Sequence, residues 1–517
     1  MRKFAQLSVT AVVALIMSGC GDVYRPVVIP NPPPTPDPKP AHNAFVISNN
    51  GLSKGTGMQV NVSGDTNMGV IPLGIEPQHA SLNGTGTRVL TANSLSDTAS
   101  IFVPASTFSI IAKIADVVLP TGFNPSFVTT TETTSFYVGG SGRNSFPPSV
   151  AFVNGSNVAG ADIQALPGSV GTTISMAETP DTRKLYAASS NGNSVTPINV
   201  IDHTLNASIP VTTPVWVTAR SDSGRVYVLS QADGSLLEIN PVDDSTVPNT
   251  VAAGAGANYM SYDSHLNRLY VTNPASSTAT VVSVAGASAQ TLKTIPITPV
   301  VRDAVTDVCA SPSPGAVRVV SATALPNGTR AYIGGFTTLT SGVNISDVSG
   351  DGTLVTYSYS LASGPTLVPG MGITISGFTP VNNPYNGSFT IASVGSGTFQ
   401  VFSTTTGPFS GAPAGAAQSI CPQVTVLNTT DNSVRSVIPI QRGPAAFGCD
   451  VRFRLSMASS ADSSKVYVGS CDAGSVAIIH TDLDQVAVQL LAPPSVVPSS
   501  GGGAPPPQNP VFVLAGQ

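Results

Sequence analysis

The chain has 517 residues, of which 9% are charged, and a formal net charge of −5, so it offers no basic field for nucleic acid. Its 49 glycines and 44 prolines would suit a low-complexity chain, but 41% of it is hydrophobic. The Val and Ile residues fall in short alternating runs able to bury a core, which points to a folded all-β protein rather than a disordered one.

The first element is not part of that fold. Arg2 and Lys3 form a short basic start, and residues 7–17 form an apolar run. The run is too short to cross a bilayer core, which needs about 20 residues. With the small residues Ser18 and Gly19 after it, it reads as a secretory signal. Met17-Ser18-Gly19-Cys20 resembles the lipobox of bacterial lipoproteins, with Met in place of the usual first Leu. The resemblance implies cleavage before Cys20 and acylation of its thiol and new amino group. Gly21 is not the Asp that marks inner-membrane retention in enteric bacteria, which favours the outer membrane or cell surface. Residues 25–40 are Pro-rich, cannot form a helix or a central strand, and should make a stiff spacer of roughly 50 Å.

From there a pattern recurs: a turn, a basic residue, then a β run usually holding Tyr. Copies stand at 83–90, 181–186, 222–228, 267–271, 327–333 and 462–468, with a weaker one at 135–138. Each leads into a second alternating run (194–199, 235–240, 475–479). A polar turn and a third run ending in Pro follow (205–210, 291–296). A fourth run, such as 214–218, precedes the next turn. Alternation punctuated by Gly, Asn, Asp and Pro is the signal of strands and hairpins. Four short antiparallel strands in about 41–49 residues make one propeller blade, and blades must stack in a ring to bury both faces.

Tyr270-Val271-Thr272-Asn273 spells the signature of the YVTN family of β-propeller repeats, and variants begin at Tyr186, Tyr227 and Tyr467. The chain resembles that family over nearly all of 44–516. The resemblance implies architecture more than activity, because most members are exported or surface-associated and lack a defined catalytic site.

Second strands at 45–47, 89–91, 136–138, 185–187, 226–228, 269–271, 331–333 and 466–468 count to about eight four-stranded blades. Seven is the alternative, because the unit at 125–166 matches poorly. The first unit, 44–74, lacks an innermost strand, and residues 510–514 should complete it, so that N- and C-terminal strands close the ring. Residues 339–420 interrupt one unit between its second and third strands and read as a small inserted β domain. The expected division is a signal peptide at 1–19, lipidated Cys20 and tether at 20–43, propeller at 44–338 and 421–517, and the insertion at 339–420.

Four cysteines remain in the mature chain, and an exported protein would pair them. Of three connectivities, the unit topology favours Cys309–Cys421 and Cys449–Cys471. It puts Cys309 and Cys449 just before innermost strands, and Cys421 and Cys471 in loops between strands two and three, all on one face. Each bond would add about 2–4 kcal/mol.

Motifs of chemistry are missing: there is no G-x-S-x-G, no H-E-x-x-H and no P-loop. His42, His79, His203, His265 and His480 are expected in loops or at the surface, not as metal ligands. The acidic run 347–352 reads as a turn, because it lacks the alternation of a Ca²⁺ loop. Trp216, on an innermost strand, is expected to pack between blades rather than line a channel. Arg88, Lys184, Arg225, Arg268, Arg330 and Lys465 open second strands and should pair with turn carboxylates or carbonyls.

No catalytic residue, metal or cofactor is expected. The function these features favour is a non-enzymatic binding or interaction module; two carboxylates with a His or Arg at one channel mouth would instead favour an enzyme. It would be monomeric, exported and held to the membrane of the bacterial cell envelope by the N-terminal lipid. An envelope protein or glycan would dock on the insertion face. The alternatives are a lactonase-like or quinoprotein-like propeller enzyme and a structural surface-coat component.

Overall fold

Short alternating runs separated by turn residues can only pair into narrow antiparallel sheets, and that is the arrangement in the computed structural model. It describes residues 43–516 apart from 52, 106–109, 133, 155–159, 250, 303–308, 310–314, 370, 410, 412, 445–448, 450–453 and 495–507. Cys20, His42 and the tether therefore lie outside the described residues. The described residues form strands and turns, with no helix among them.

Seven sheets are four-stranded, the number given above as the alternative, and an eighth sheet is ten-stranded. In chain order the sheets cover 43–75, 77–118, 125–165, 174–210, 214–247, 259–296, 318–439 and 455–491. Each innermost strand packs against that of the next sheet, and the last packs back towards the first, so the sheets form a β-propeller. The first sheet is built from both ends of the chain. Asn509–Ala515 is its innermost strand and pairs antiparallel with Asn43–Asn49.

Outside the insertion, the buried clusters lie between sheets rather than inside one. Tyr270, Val281 and Ile295 of the sixth sheet meet Val319, Ile333 and Leu427 of the seventh. Phe45, Ile47 and Leu73 of the first meet Val89 and Phe102 of the second. A blade alone would leave these faces in water, so burial is available only to the stacked ring.

A polar latch recurs beside the apolar contacts. The turn between strands three and four ends in a left-handed residue, which Asp, Asn and His tolerate. These residues include Asp65 (φ 52°), Asp244 (φ 59°), Asn432 (φ 54°) and Asp484 (φ 52°). The preceding sheet's second strand reaches that position. Lys184 Nζ lies 2.6 Å from Asp244 Oδ2, the Tyr186 hydroxyl donates to Asp244 Oδ1 at 2.5 Å, and Asn206 donates at 2.7 Å. Arg330 and the Tyr332 hydroxyl each lie 2.7 Å from Asp484 Oδ1. Lys465 pairs with Asp65, and His480 Nε2 lies 2.7 Å from its other oxygen, which joins the eighth sheet to the first. Lys184, Arg330 and Lys465 thus pair with the neighbouring unit's turn, and Arg268 does so through the Thr429 carbonyl and Asn432, whereas Arg225 pairs with Glu238 of its own sheet. Burial pushes the Tyr186 and Tyr332 hydroxyls well above their ordinary pKa, so they remain donors.

Two disulfides join Cys309 to Cys421 and Cys449 to Cys471, with Cα–Cα distances of 5.8 and 5.9 Å. Cys421 is not in a loop. It lies inside the strand Ala414–Asn428, opposite Thr337, because the alternation runs on past the blade.

Removing the Asp244 carboxylate would leave Lys184, Tyr186 and Asn206 without their shared acceptor. Asp244→Ala should cost roughly 2–4 kcal/mol in denaturant unfolding, and Asp244→Asn less, because Asn keeps the left-handed turn. A loss below about 0.5 kcal/mol for the alanine variant would show that the latch does not hold the units together.

Candidate functional site

The insertion is an outgrowth of the seventh sheet. The second strand of that blade does not stop at the sheet edge but continues as Arg330–Asp351, and the third begins early, as Ala414–Asn428. The 15-residue third strand pairs with it along its whole length, from Arg330 opposite Asn428 to Asn344 opposite Ala414, without a register shift. At about 3.3 Å per residue this is a ribbon of roughly 50 Å. Neither 339 nor 420 is a boundary, because both fall within continuous strands.

Beyond the blade the ribbon closes on itself. Leu354–Ser363, Thr398–Phe402, Gly387–Gly395 and Gly372–Ser376 connect one edge of the ribbon to the other, which gives a closed six-stranded barrel. Its interior is a separate core that includes Ile345, Tyr357, Met371, Ile373, Phe399 and Val401. Residues 339–420 carry two charged side chains, Asp347 and Asp351. Asp351 accepts the Thr353 and Leu354 amides, so the acidic run is a turn. The barrel's outer polar contacts are neutral: Ser393 to Gln400 at 2.7 Å, Gln400 to Thr356 at 3.1 Å, and Thr374 to Ser388 at 3.0 Å.

The second candidate is axial. Five innermost strands carry a β-bulge near their start, after Pro77, Pro125, Pro214, Val319 and Pro510. A bulge re-aims the side chain that follows it. Here those residues are His79, Phe127, Trp216, Ser321 and Phe512. Ring contacts run Phe512–His79 (4.1 Å), His79–Phe127 (4.0 Å), Phe127–Trp216 (5.6 Å) and Trp216–Tyr259 (4.5 Å). Trp216 therefore both faces the axis and packs against inter-sheet clusters, where packing alone was expected. His79 is a correction: it is 6% exposed in this girdle, not at the surface, and its Nδ1 accepts the Val128 amide at 3.3 Å. The recurrence of Pro-x-aromatic at 77, 125, 214 and 510 is the sequence signal that marks the girdle.

Past the girdle lies a cavity of about 380 Å³. Four consecutive innermost strands and the turns after them line it. Tyr259 and Met457 adjoin the girdle, and Ser261, Thr323 and Ser459 stand two residues further along three of the strands. Among the described residues of the lining, Asp263 is the one carboxylate, and none is His, Lys or Arg. Its Oδ1 accepts the His265 and Leu266 amides, and its Oδ2 is buried. The cavity opens among the turns between strands one and two, whereas the barrel grows from a connection between strands two and three. The two candidates are therefore on opposite faces of the ring.

The signature tetrapeptide is structural. Tyr270, Val271, Thr272 and Asn273 are all buried. Asn273 donates to the carbonyls of Ala253, Gly254 and Ala255 and accepts the Ala275 and Ser276 amides, so it fastens the loop that enters the sheet. Among the described residues no three of His, Cys, Asp and Glu gather as metal ligands, and no helix is long and apolar enough to cross a membrane.

No family model and no curated protein matches the chain. Similar solved structures include apo AztD from Citrobacter koseri, at 9% identity and a TM-score of 0.49 over 92% of this chain and 97% of that one. A candidate 6-phosphogluconolactonase from Bacteroides fragilis aligns at 9% identity and 0.42 over 91% and 96%. Kuenenia stuttgartiensis hydrazine synthase aligns at 10% and 0.42 over 80% and 86%. Likenesses at this level carry no argument about activity.

One buried acid makes the ring sensitive to pH. Glu178 is 3% exposed at the junction of the third and fourth sheets, where it accepts the Thr131 amide at 2.6 Å and the Tyr137 hydroxyl at 3.2 Å. Burial pushes its carboxyl up to about 7, against an ordinary 4.5. The folded state therefore holds this proton more tightly than the unfolded chain does. Its contribution is full below pH 4.5 and is lost as pH rises through about 7. Glu178→Gln should flatten that fall, gaining roughly 2 kcal/mol over the parent at pH 8 relative to pH 4.5 in parallel unfolding curves. Parallel curves for parent and variant across this range would contradict the assignment.

Proposed function

We propose that the protein is an exported, lipid-tethered β-propeller of the YVTN type that acts as a non-enzymatic binding module at the bacterial cell envelope. The ten-stranded sheet contains the four-strand order of a blade, with innermost strand Arg318–Ala324, and on this reading it counts as a blade, which brings the ring to eight. The lipid on Cys20 holds the protein to the membrane, the Pro-rich tether spaces it away, and the barrel meets an envelope protein or glycan.

The observation that carries this reading is the unbroken ribbon from blade to barrel. A tolerated insertion on a surface loop needs no rigid stem. A continuous ladder with no shift in register holds the barrel at a fixed distance and orientation, which lowers the entropy lost on binding. The lining of the axial cavity supports binding over turnover, since it brings together no acid–base pair.

The test compares the full chain with a variant in which residues 345–413 are replaced by an Asn-Gly turn. The seventh blade keeps its four strands in this variant. Binding to purified envelope fractions and to a glycan array should fall at least tenfold without the barrel, and Cys20→Ser should move the parent from the membrane to the soluble fraction. Undiminished binding by the variant would refute the barrel's role. Self-association that needs the barrel would favour the surface-coat alternative.

A further inference from the structure

The geometry points to a second, separate binding site: the axial cavity on the face opposite the barrel takes a small, neutral, hydroxylated ligand of the size of one sugar ring. Its volume, about 380 Å³, is at the low end of the roughly 300–1,000 Å³ typical of small-molecule sites, which suits a single ring and not a polymer.

Three features set the class of ligand. The first is the floor. Tyr259 and Met457 belong both to this cavity and to the small one beneath it, which Trp216 and Phe512 also line. The aromatic girdle thus closes the channel behind the site, leaving an apolar, polarisable base against which the C–H face of a sugar can stack. The second is the wall. Ser261, Thr323 and Ser459 occupy matching positions on the sixth, seventh and eighth sheets. Thr323 donates to Ser459 Oγ at 3.3 Å, and Ser459 donates to the Ala324 carbonyl at 2.7 Å, so these two hydroxyls are oriented by each other and turn their acceptor lone pairs to the cavity, beside the Ser261 hydroxyl. Hydroxyls serve both roles and match a polyol without charge. The third is electrostatic. The only carboxylate in the lining, Asp263, is spent on its own turn through Oδ1, and its Oδ2 is buried. Among the described residues the lining has no cation to hold a phosphate or carboxylate and no exposed anion to hold an amine.

The site carries its own reporter. Trp216 is the only tryptophan, and its ring is 4.5 Å from that of Tyr259. A ligand on the floor should therefore change the tryptophan emission.

The full chain would be titrated with D-glucose, D-galactose and myo-inositol, and with glucose 6-phosphate, galacturonate and glucosamine as charged counterparts, following Trp216 fluorescence. The expected result is a saturable change for at least one neutral probe with a Kd in the millimolar range, and a weaker or absent response to its charged counterparts. Thr323→Val, nearly isosteric, should weaken binding at least fivefold with an unchanged melting temperature, and Ser459→Leu, which fills the cavity, should abolish it. No saturable response to any neutral probe would overturn the proposal. So would tighter binding of a charged counterpart, or unchanged affinity in both variants. The barrel-less variant should bind these probes as the parent does, which separates this site from the function proposed above.

Discussion

A ring of blades is stable only if it closes, and closure here depends on one pairing between strands from opposite ends of the chain. Asn43–Asn49 would expose an edge of unpaired amides and carbonyls along the axis, and Asn509–Ala515 would be a lone strand with nothing to pair with. Together they complete the first sheet and remove both edges. The apolar clusters on either side depend on the same strand: Val511 and Leu514 lie in the core shared with the second sheet, and Val513 in the core shared with the eighth. The Lys465–Asp65–His480 latch fastens the outer part of the same seam. Every other unit has both neighbours supplied by sequence order, so this seam is the one place where the ring could open.

The two candidate sites follow from that closed frame. Strand direction alternates within each sheet, so connections between strands one and two emerge on one face and those between two and three on the other. The barrel extends the second kind, and the cavity is rimmed by the first. A rigid ring thus presents two surfaces of different character. One is a projecting, nearly uncharged barrel with its own core. The other is a recess with an aromatic base and a hydroxyl wall.

Much of the architecture was legible from local pattern. The repeat of turn, basic residue and Tyr marked the second strands, and the missing innermost strand of the first unit pointed to the run at 510–514. The recurring basic residues read as structural, and the partners of Lys184, Arg225, Arg268, Arg330 and Lys465 are structural. The axial site was not legible in the same way. A bulge adds one residue to a strand, so period-2 reading places the next side chain on the wrong face. His79 therefore sits in the girdle although its spacing marks no site, and Trp216 lines the axis as well as packing between blades. The cavity itself joins residues from four units, Tyr259, Thr323, Ser459 and Leu514, whose meeting depends on ring geometry and not on spacing. The stem of the barrel was missed for a related reason. A strand that leaves its blade keeps the same alternation, so nothing in the sequence marks where the sheet edge lies.

Closure of the ring by its two ends is tested most directly by a cross-link. Ala44 lies opposite Ala515, and the Gly516 amide donates to the Asn43 carbonyl at 2.9 Å, which makes Ala44–Ala515 a non-hydrogen-bonded pair. Such pairs have Cα atoms about 4.5 Å apart, close enough for a disulfide. In Ala44→Cys/Ala515→Cys, peptide mapping without reductant should find residues 44 and 515 joined in the monomer, with a higher melting temperature that falls back on reduction. Free thiols at both positions, or a link formed only between molecules, would contradict the closed ring.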